Sequence, residues 1–216
     1  MWSQLLPKSA VVVEATPAMW SSPPTLAEAA CVAQATAQRR REFQAGRAAA
    51  RAALRWLGID QFDLLPGVYR EPLWPAGIVG SITHTRDHCA VTVARQSEIT
   101  SLGIDLEPAD GLAAHMVRTV CSEDERRALR GMPGRAPDVW PKVIFSAKEA
   151  FFKAYFPQSR TFLDFHDVKI ALHPRRAEYA AELVNRDVPS LFGRRYVVGR
   201  YAIRNGLIYT AVSTAT

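Results

Sequence analysis

Cysteine is scarce in this chain of 216 residues. The three present, Cys31, Cys89 and Cys121, stand far apart, in odd number and in no C-x-x-C pair. That spacing argues against a disulfide framework or a zinc site. Cys89 opens an apolar run over residues 89–94 and reads as a small core residue rather than a nucleophile. Long hydrophobic runs are missing too: none approaches the roughly 20 residues needed to cross a bilayer. The opening stretch, MWSQLLPKSAVVVEATP, has no basic segment leading into an apolar one, and Glu14 interrupts its one candidate. A cytoplasmic protein with no membrane partner is therefore expected. No internal repeat is visible. Acids are in deficit, 21 Asp and Glu against 27 Lys and Arg, a formal net charge of +6. The excess points to an anionic partner, whether nucleic acid, nucleotide, acidic protein or membrane surface, and does not choose among them. Hydrophobic residues at 48% and charged ones at 22% are ordinary for a soluble globular chain. Its length allows one large domain or two small ones.

The chain is organised around residues 142–156, KVIFSAKEAFFKAYF. Val139, Trp140, Val143, Ile144, Ala147, Phe151, Ala154 and Tyr155 recur at the spacing of about 3.6 residues that makes one helical stripe. The opposite face carries Lys142, Ser146, Glu149 and Lys153. Asp138 can cap this helix, and Pro141 is tolerated in its first turns. Ser146 and Glu149 have the spacing of a capping box, but the stripe begins before them, so the helix is already under way. Upstream, residues 101–108, SLGIDLEP, read as a strand ended by Pro108. Leu102, Ile104 and Leu106 point one way; Gly103, Asp105 and Glu107 point the other. The two acids then lie about 7 Å apart on one face. Two acids on a strand and one on a helix can hold a hard divalent cation against a phosphate. The blander readings are a half-buried strand with a polar outer face and an ordinary i, i+4 ion pair between Glu149 and Lys153.

Around this centre the remaining elements follow from local signals. Residues 10–13 read as an edge strand, and the SSPPT loop can cap a helix over residues 26–35. A longer helix spans residues 37–57, closed by Gly58. Arg47, Arg51 and Arg55 stack along it at i, i+4 and i+8, a basic ridge that in itself reads as a solvated face. Residues 58–77 are loop. Two strands, 78–84 and 89–94, flank a four-residue turn, and strand 99–106 follows. A helix near residues 115–120 precedes a second one capped at Ser122, whose SEDE puts acids in the first turn. Residues 131–134 read as a loop. Strands are expected over 167–172, 177–184, 195–204 and 207–213, the last two joined by Asn205-Gly206 as a type I′ hairpin turn.

Three blocks, GSITH (80–84), GIDLEP (103–108) and FSAKEAFFKAYFP (145–157), resemble in order and spacing the signature of the Sfp-type 4′-phosphopantetheinyl transferases. Within that family the chain is most similar to the branch that includes the enterobactin-synthase component D proteins. The similarity runs over residues 39–165.

The resemblance implies an α+β (α/β) fold of two similar, pseudo-symmetric halves, residues 1–108 and 109–216, with the active site between them. Each half is an antiparallel-rich sheet packed with helices. It implies transfer of the phosphopantetheine arm of coenzyme A to a serine of an apo acyl or peptidyl carrier protein, releasing adenosine 3′,5′-bisphosphate. Asp105, Glu107 and Glu149 are then the ligands of Mg²⁺, with Mn²⁺ as a substitute. Glu149 acts alternatively, or additionally, through a metal-bound water as the base for the serine, while Lys153 stabilises phosphate charge and Lys148 assists. Arg39 and Arg47 contact phosphates, in particular the 3′-phosphate. His84 and Ser81 belong to the coenzyme A site. Residues 69–77 close over the adenine with Arg70 as their basic residue, a place that Tyr69 takes in a second register. A monomer suffices. Nucleic acid is not an expected partner. Two other readings compete: a metal-dependent pyrophosphohydrolase that uses the same acids with water as acceptor, and a nucleic-acid binder that uses the arginine ridge.

Overall fold

A computed structural model of the chain describes residues 1–133 and 138–215; the end of the loop expected at residues 131–134 lies outside them. Two compact units divide the chain: Pro7–Leu102, and Gly103–Thr214 together with Met1–Leu6. The fold class is the expected α+β, with two separate sheets packed with helices.

In the first unit, β1 (Val11–Glu14), β2 (Ile78–His84) and β3 (Cys89–Arg95) form an antiparallel sheet in the order β1-β3-β2. The β2–β3 hairpin pairs His84 with Cys89 and closes through Thr85 N–H donating to the His88 carbonyl at 2.7 Å. Helix α1 (Leu26–Ala30) starts at Thr25 with a capping box to Glu28. It stops five residues short of the expectation, because Val32 and Ala35 donate to carbonyls three residues back and tighten the chain into turns. Helix α2 (Ala37–Trp56) begins at Thr36, whose hydroxyl accepts from the Arg39 N–H. It ends where Gly58 takes φ +80° and Ile59 N–H reaches the Leu54 carbonyl. Ala49, Ala50, Ala53 and Leu54 pack on Val91 and Val93 of β3, with Leu64 and Ile78 completing the core. Alanines let the helix lie close to the strand.

The second unit carries β4 (Ile99–Pro108, from Gly103 on), α3 (Ala114–Val120), α4 (Glu123–Leu129), α5 (Val139–Ser159), β5 (Val168–His173), β6 (Glu178–Leu183), β7 (Tyr196–Arg204) and β8 (Leu207–Ala215). The sheet runs β4-β8-β7-β6-β5, with β5 to β8 an antiparallel meander. Asn205 at φ 51° and Gly206 at φ 74° make the expected primed turn, placing Arg204 opposite Leu207. On β7, Val197, Gly199 and Tyr201 are buried while Tyr196, Val198 and Arg200 face water.

Helix α5 lies on this sheet: Val143, Ile144, Ala147, Phe151 and Tyr155 meet Ile170, Ala181, Val197, Tyr201, Ile208 and Val212. It is longer than its expected span, carrying Pro157 in the last turn before Arg160 reverses the chain at φ 54°. Asp138 stands at the N-cap position but makes no side-chain cap bond, since its own backbone is already helical. Strand β4 is not half-exposed: Ile104, Leu106, Gly103 and Asp105 are all buried. Among the described residues, no helix is long and apolar enough to cross a membrane.

Candidate active site

Helix α5 and strand β4 bring the acids together. Asp105 is buried; its Oδ1 accepts from Lys153 Nζ at 2.6 Å and its Oδ2 from the Ser146 hydroxyl at 2.8 Å. Ser146 Oγ also lies 2.8 Å from Thr210 Oγ1 on β8, and Thr210 donates to the Ser146 carbonyl at 2.9 Å. Two residues beyond Asp105, Glu107 Oε2 sits 3.1 Å from Lys142 Nζ, an ammonium that also lies 3.6 Å from Asp110. Burial pushes the Glu107 carboxyl above its ordinary range; the Asp105 charge adds to this, and Lys142 opposes it. Glu149 is raised as well, by burial first; Lys153 opposes the shift, and Asp105 and Glu107 push it further.

The three acids thus repel one another within a partly desolvated patch. Among the described residues, no three His, Cys, Asp or Glu side chains stand close enough together to hold a metal ion as they are. The donor chemistry nonetheless fits a divalent cation. All the donors are carboxylate oxygens, the preference of Mg²⁺ or Mn²⁺ rather than zinc, and added positive charge would oppose the upward shift of the two raised carboxyls.

Lys148 departs from expectation. Its ammonium is buried, and it donates to the carbonyls of Val120 at 2.8 Å and Phe165 at 2.7 Å and to Glu125 Oε2 at 2.9 Å. An ammonium has three protons. All three are spent inside the fold, so Lys148 ties α5 to α4 rather than serving a phosphate.

In the Pro7–Leu102 unit, Arg39 on α2 and His84 at the end of β2 meet, with Arg39 Nη1 3.0 Å from His84 Nε2. A guanidinium only donates, so Nε2 accepts and the ring proton is assigned to Nδ1. That nitrogen lies 3.8 Å from Glu42 Oε2, which is also 3.6 Å from Arg39 Nη1. Arg47 is only 6% exposed, with its guanidinium carbon 4.2 Å from the centroid of the Phe43 ring. Burial pulls its pKa down to about 10, and its Nε has no hydrogen-bond partner among the described residues. A buried cationic donor without an acceptor suits an anionic ligand.

The arginine ridge is not a solvated face. Besides the buried Arg47, Arg51 Nη1 lies 2.5 Å from Oε2 of Glu28, a fully buried acid that also accepts from Thr25 N–H and Leu64 N–H. Only Arg55 is exposed as read. Arg70 stands exposed at φ 68° in the loop bridged by Pro66 and Pro72, with Tyr69 beside it donating its N–H to Glu71. Ser81 is buried in β2 opposite Thr92.

The profile of the 4′-phosphopantetheinyl transferase superfamily matches residues 101–203, and that of the 4′-phosphopantetheinyl transferase N-terminal domain matches residues 27–94. The 4′-phosphopantetheinyl transferase Svp of Streptomyces mobaraensis is 40% identical over 221 residues, covering 100% of this chain and 89% of the relative. The chain belongs to the 4′-phosphopantetheinyl transferase superfamily. The transferase PptT of Mycobacterium tuberculosis is 35% identical over 204 residues, 90% of this chain and 89% of its own. Enterobactin synthase component D of Salmonella typhi matches a shorter stretch, 34% identical over 122 residues, 55% of this chain and 49% of that protein.

Within this transferase the superfamily match spans Asp105, Glu107, Ser146, Glu149 and Lys153 and ends before Thr210. The N-terminal-domain match spans Arg39, Glu42, Arg47, Arg70, Ser81 and His84. Sequence reasoning passed over Glu42, Thr210 and the bonding role of Ser146. Ser146 had a signal, three residues before Glu149 on the polar face of α5. Thr210, in an apolar terminal strand, had none.

Proposed function

We propose that this transferase moves the phosphopantetheine arm of coenzyme A onto a serine of an apo acyl or peptidyl carrier protein, releasing adenosine 3′,5′-bisphosphate. The observation that carries the reading is the cluster on β4 and α5: Asp105 paired to Lys153, beside two carboxyls, Glu107 and Glu149, raised by burial and by their acidic neighbours. Acids repel a pyrophosphate unless a cation stands between them, so Asp105, Glu107 and Glu149 would hold Mg²⁺, with Mn²⁺ able to replace it. That cation would supply neutralising charge to the pyrophosphate oxygens.

In the reaction the serine oxygen bonds to the phosphorus that carries the pantetheine arm. The bond from that phosphorus to the bridging oxygen breaks, and the bisphosphate leaves with the electron pair. Glu149 takes the serine proton as general base. Lys153, one turn along α5, neutralises charge on the phosphates. Arg39, Arg47, Arg70, Ser81 and His84 bind coenzyme A, with Arg39 and Arg47 on the 3′-phosphate; the orphaned Nε of Arg47 supports that role. With this reading go a cytoplasmic location and a monomeric enzyme.

The test is the intact mass of an apo carrier protein incubated with the transferase, coenzyme A and Mg²⁺, against a chelator control. One phosphopantetheine arm should be gained only with metal. Glu149→Ala should stay folded and lose about 10²- to 10⁴-fold in rate, the usual worth of a positioned base. Coenzyme A degraded with no gain on several carriers would mark a pyrophosphohydrolase instead, and normal turnover by Glu149→Ala would remove the assigned base.

A further inference from the structure

We infer that Ser146 and Thr210 are positioning residues of the active site, clamping Asp105 through Oδ2 so that Oδ1 is turned toward Lys153 and a bound divalent cation. The inference rests on the reading of Asp105 as a metal ligand. Three elements converge to build the clamp: Asp105 comes from β4, Ser146 from α5 and Thr210 from β8, the neighbour of β4 in the sheet. All three side chains are buried.

The hydrogen count fixes the direction of the chain. Ser146 has one hydroxyl proton, and the carboxylate 2.8 Å away can only accept, so that proton goes to Asp105 Oδ2. Thr210 then gives its own proton to the Ser146 side, where the Ser146 carbonyl lies at 2.9 Å and Oγ at 2.8 Å. Each hydroxyl restrains the next, and the last one sets the plane of the carboxylate. Oδ2 is thus held by a neutral donor while Oδ1 lies 2.6 Å from Lys153 Nζ. The hydroxyl chain runs to the acid that Lys153 also pairs, and Ser146 lies one turn of α5 before Glu149.

The experiment measures Mn²⁺ binding by electron paramagnetic resonance, with and without coenzyme A and with no carrier protein, so that no turnover enters the readout. Wild type, Asp105→Ala, Ser146→Ala and Thr210→Val are compared, with circular dichroism and thermal melting as folding controls. Ser146→Ala should bind Mn²⁺ about 10- to 100-fold more weakly, the usual effect of removing a group that orients a metal ligand. Thr210→Val, close in shape to threonine, should show a smaller loss in the same direction and keeps the test open should Ser146→Ala fail to fold. Wild-type Mn²⁺ affinity in a folded Ser146→Ala or Thr210→Val protein, whatever its melting temperature, overturns the clamp. Wild type that binds no Mn²⁺, or binds it no better than Asp105→Ala, overturns the metal reading beneath it and the clamp with it.

Discussion

Lys148 and Glu149 are neighbours in sequence with opposite tasks. Lys148 spends its protons inside the fold on Val120, Phe165 and Glu125. Burial pulls its pKa down, and Glu125 partly restores it. Removing the ammonium leaves Glu125 buried with, among the described residues, the N–H groups of Ser122 and Ile170 as donors. Lys148→Met should therefore cost about 3–5 kcal/mol in urea unfolding, the range for breaking a buried pair. The KM for coenzyme A of the folded fraction should not change; a raised KM at unchanged stability would return Lys148 to the phosphates. For Glu149 the sign runs the other way from the usual acid. Its folded pKa is raised, so its contribution to stability is present at low pH and is lost as the pH rises through that raised value. In chelator near neutral pH, Glu149→Gln should melt higher than wild type, with the gap closing as the pH falls below the ordinary carboxylate range. Melts over a pH series would check this, and a constant gap or a lower-melting variant would contradict it.

The approach of β4 to α5 is set by one absent side chain. A Cβ on Gly103 would stand 2.0 Å from the Ala150 carbonyl oxygen and 2.8 Å from Ala154 N, both backbone atoms that no rotamer change can move. That contact brings Asp105 within 2.6 Å of Lys153. Gly103→Ala should cost at the upper end of about 1–3 kcal/mol or beyond, and the displaced strand should lose Mn²⁺ binding as well. Circular dichroism melts and Mn²⁺ titration would check both, and a variant with wild-type values in each would show that the elements tolerate separation. At this scale the sequence was readable wherever the signal is local. Thr25 and Ser122 each start a helix where the capping residue stands, and Asn205-Gly206 fixes its hairpin, because caps and primed turns are decided within about four residues. Asp138 misled because an acid at the right position caps only if its own backbone is extended. The Asp105–Ser146–Thr210 chain joins residues 41 and 64 positions apart, and no local pattern encodes it.

Across the whole molecule, the net charge of +6 announces an anionic ligand without saying which arginines meet it, since a helical ridge of arginines looks the same solvated or buried. The fold separates them. Arg39 is about half exposed (side chain 46%), Arg47 is buried over Phe43, and Arg51 is committed to Glu28. Exposed charges are screened by salt over about 8–10 Å at physiological ionic strength, whereas buried ones are screened far less. The two arginines proposed to bind the 3′-phosphate should therefore part company in a salt titration of coenzyme A binding. The affinity lost on Arg39→Ala should shrink as salt rises from about 10 mM to about 150 mM, because salt removes much of that contribution in wild type too. The loss on Arg47→Met should stay nearly constant over the same range. Isothermal titration of the two variants and wild type at several salt concentrations gives both slopes. Parallel slopes would mean that Arg47 meets its phosphate in water, and its burial over Phe43 would then be a matter of packing alone.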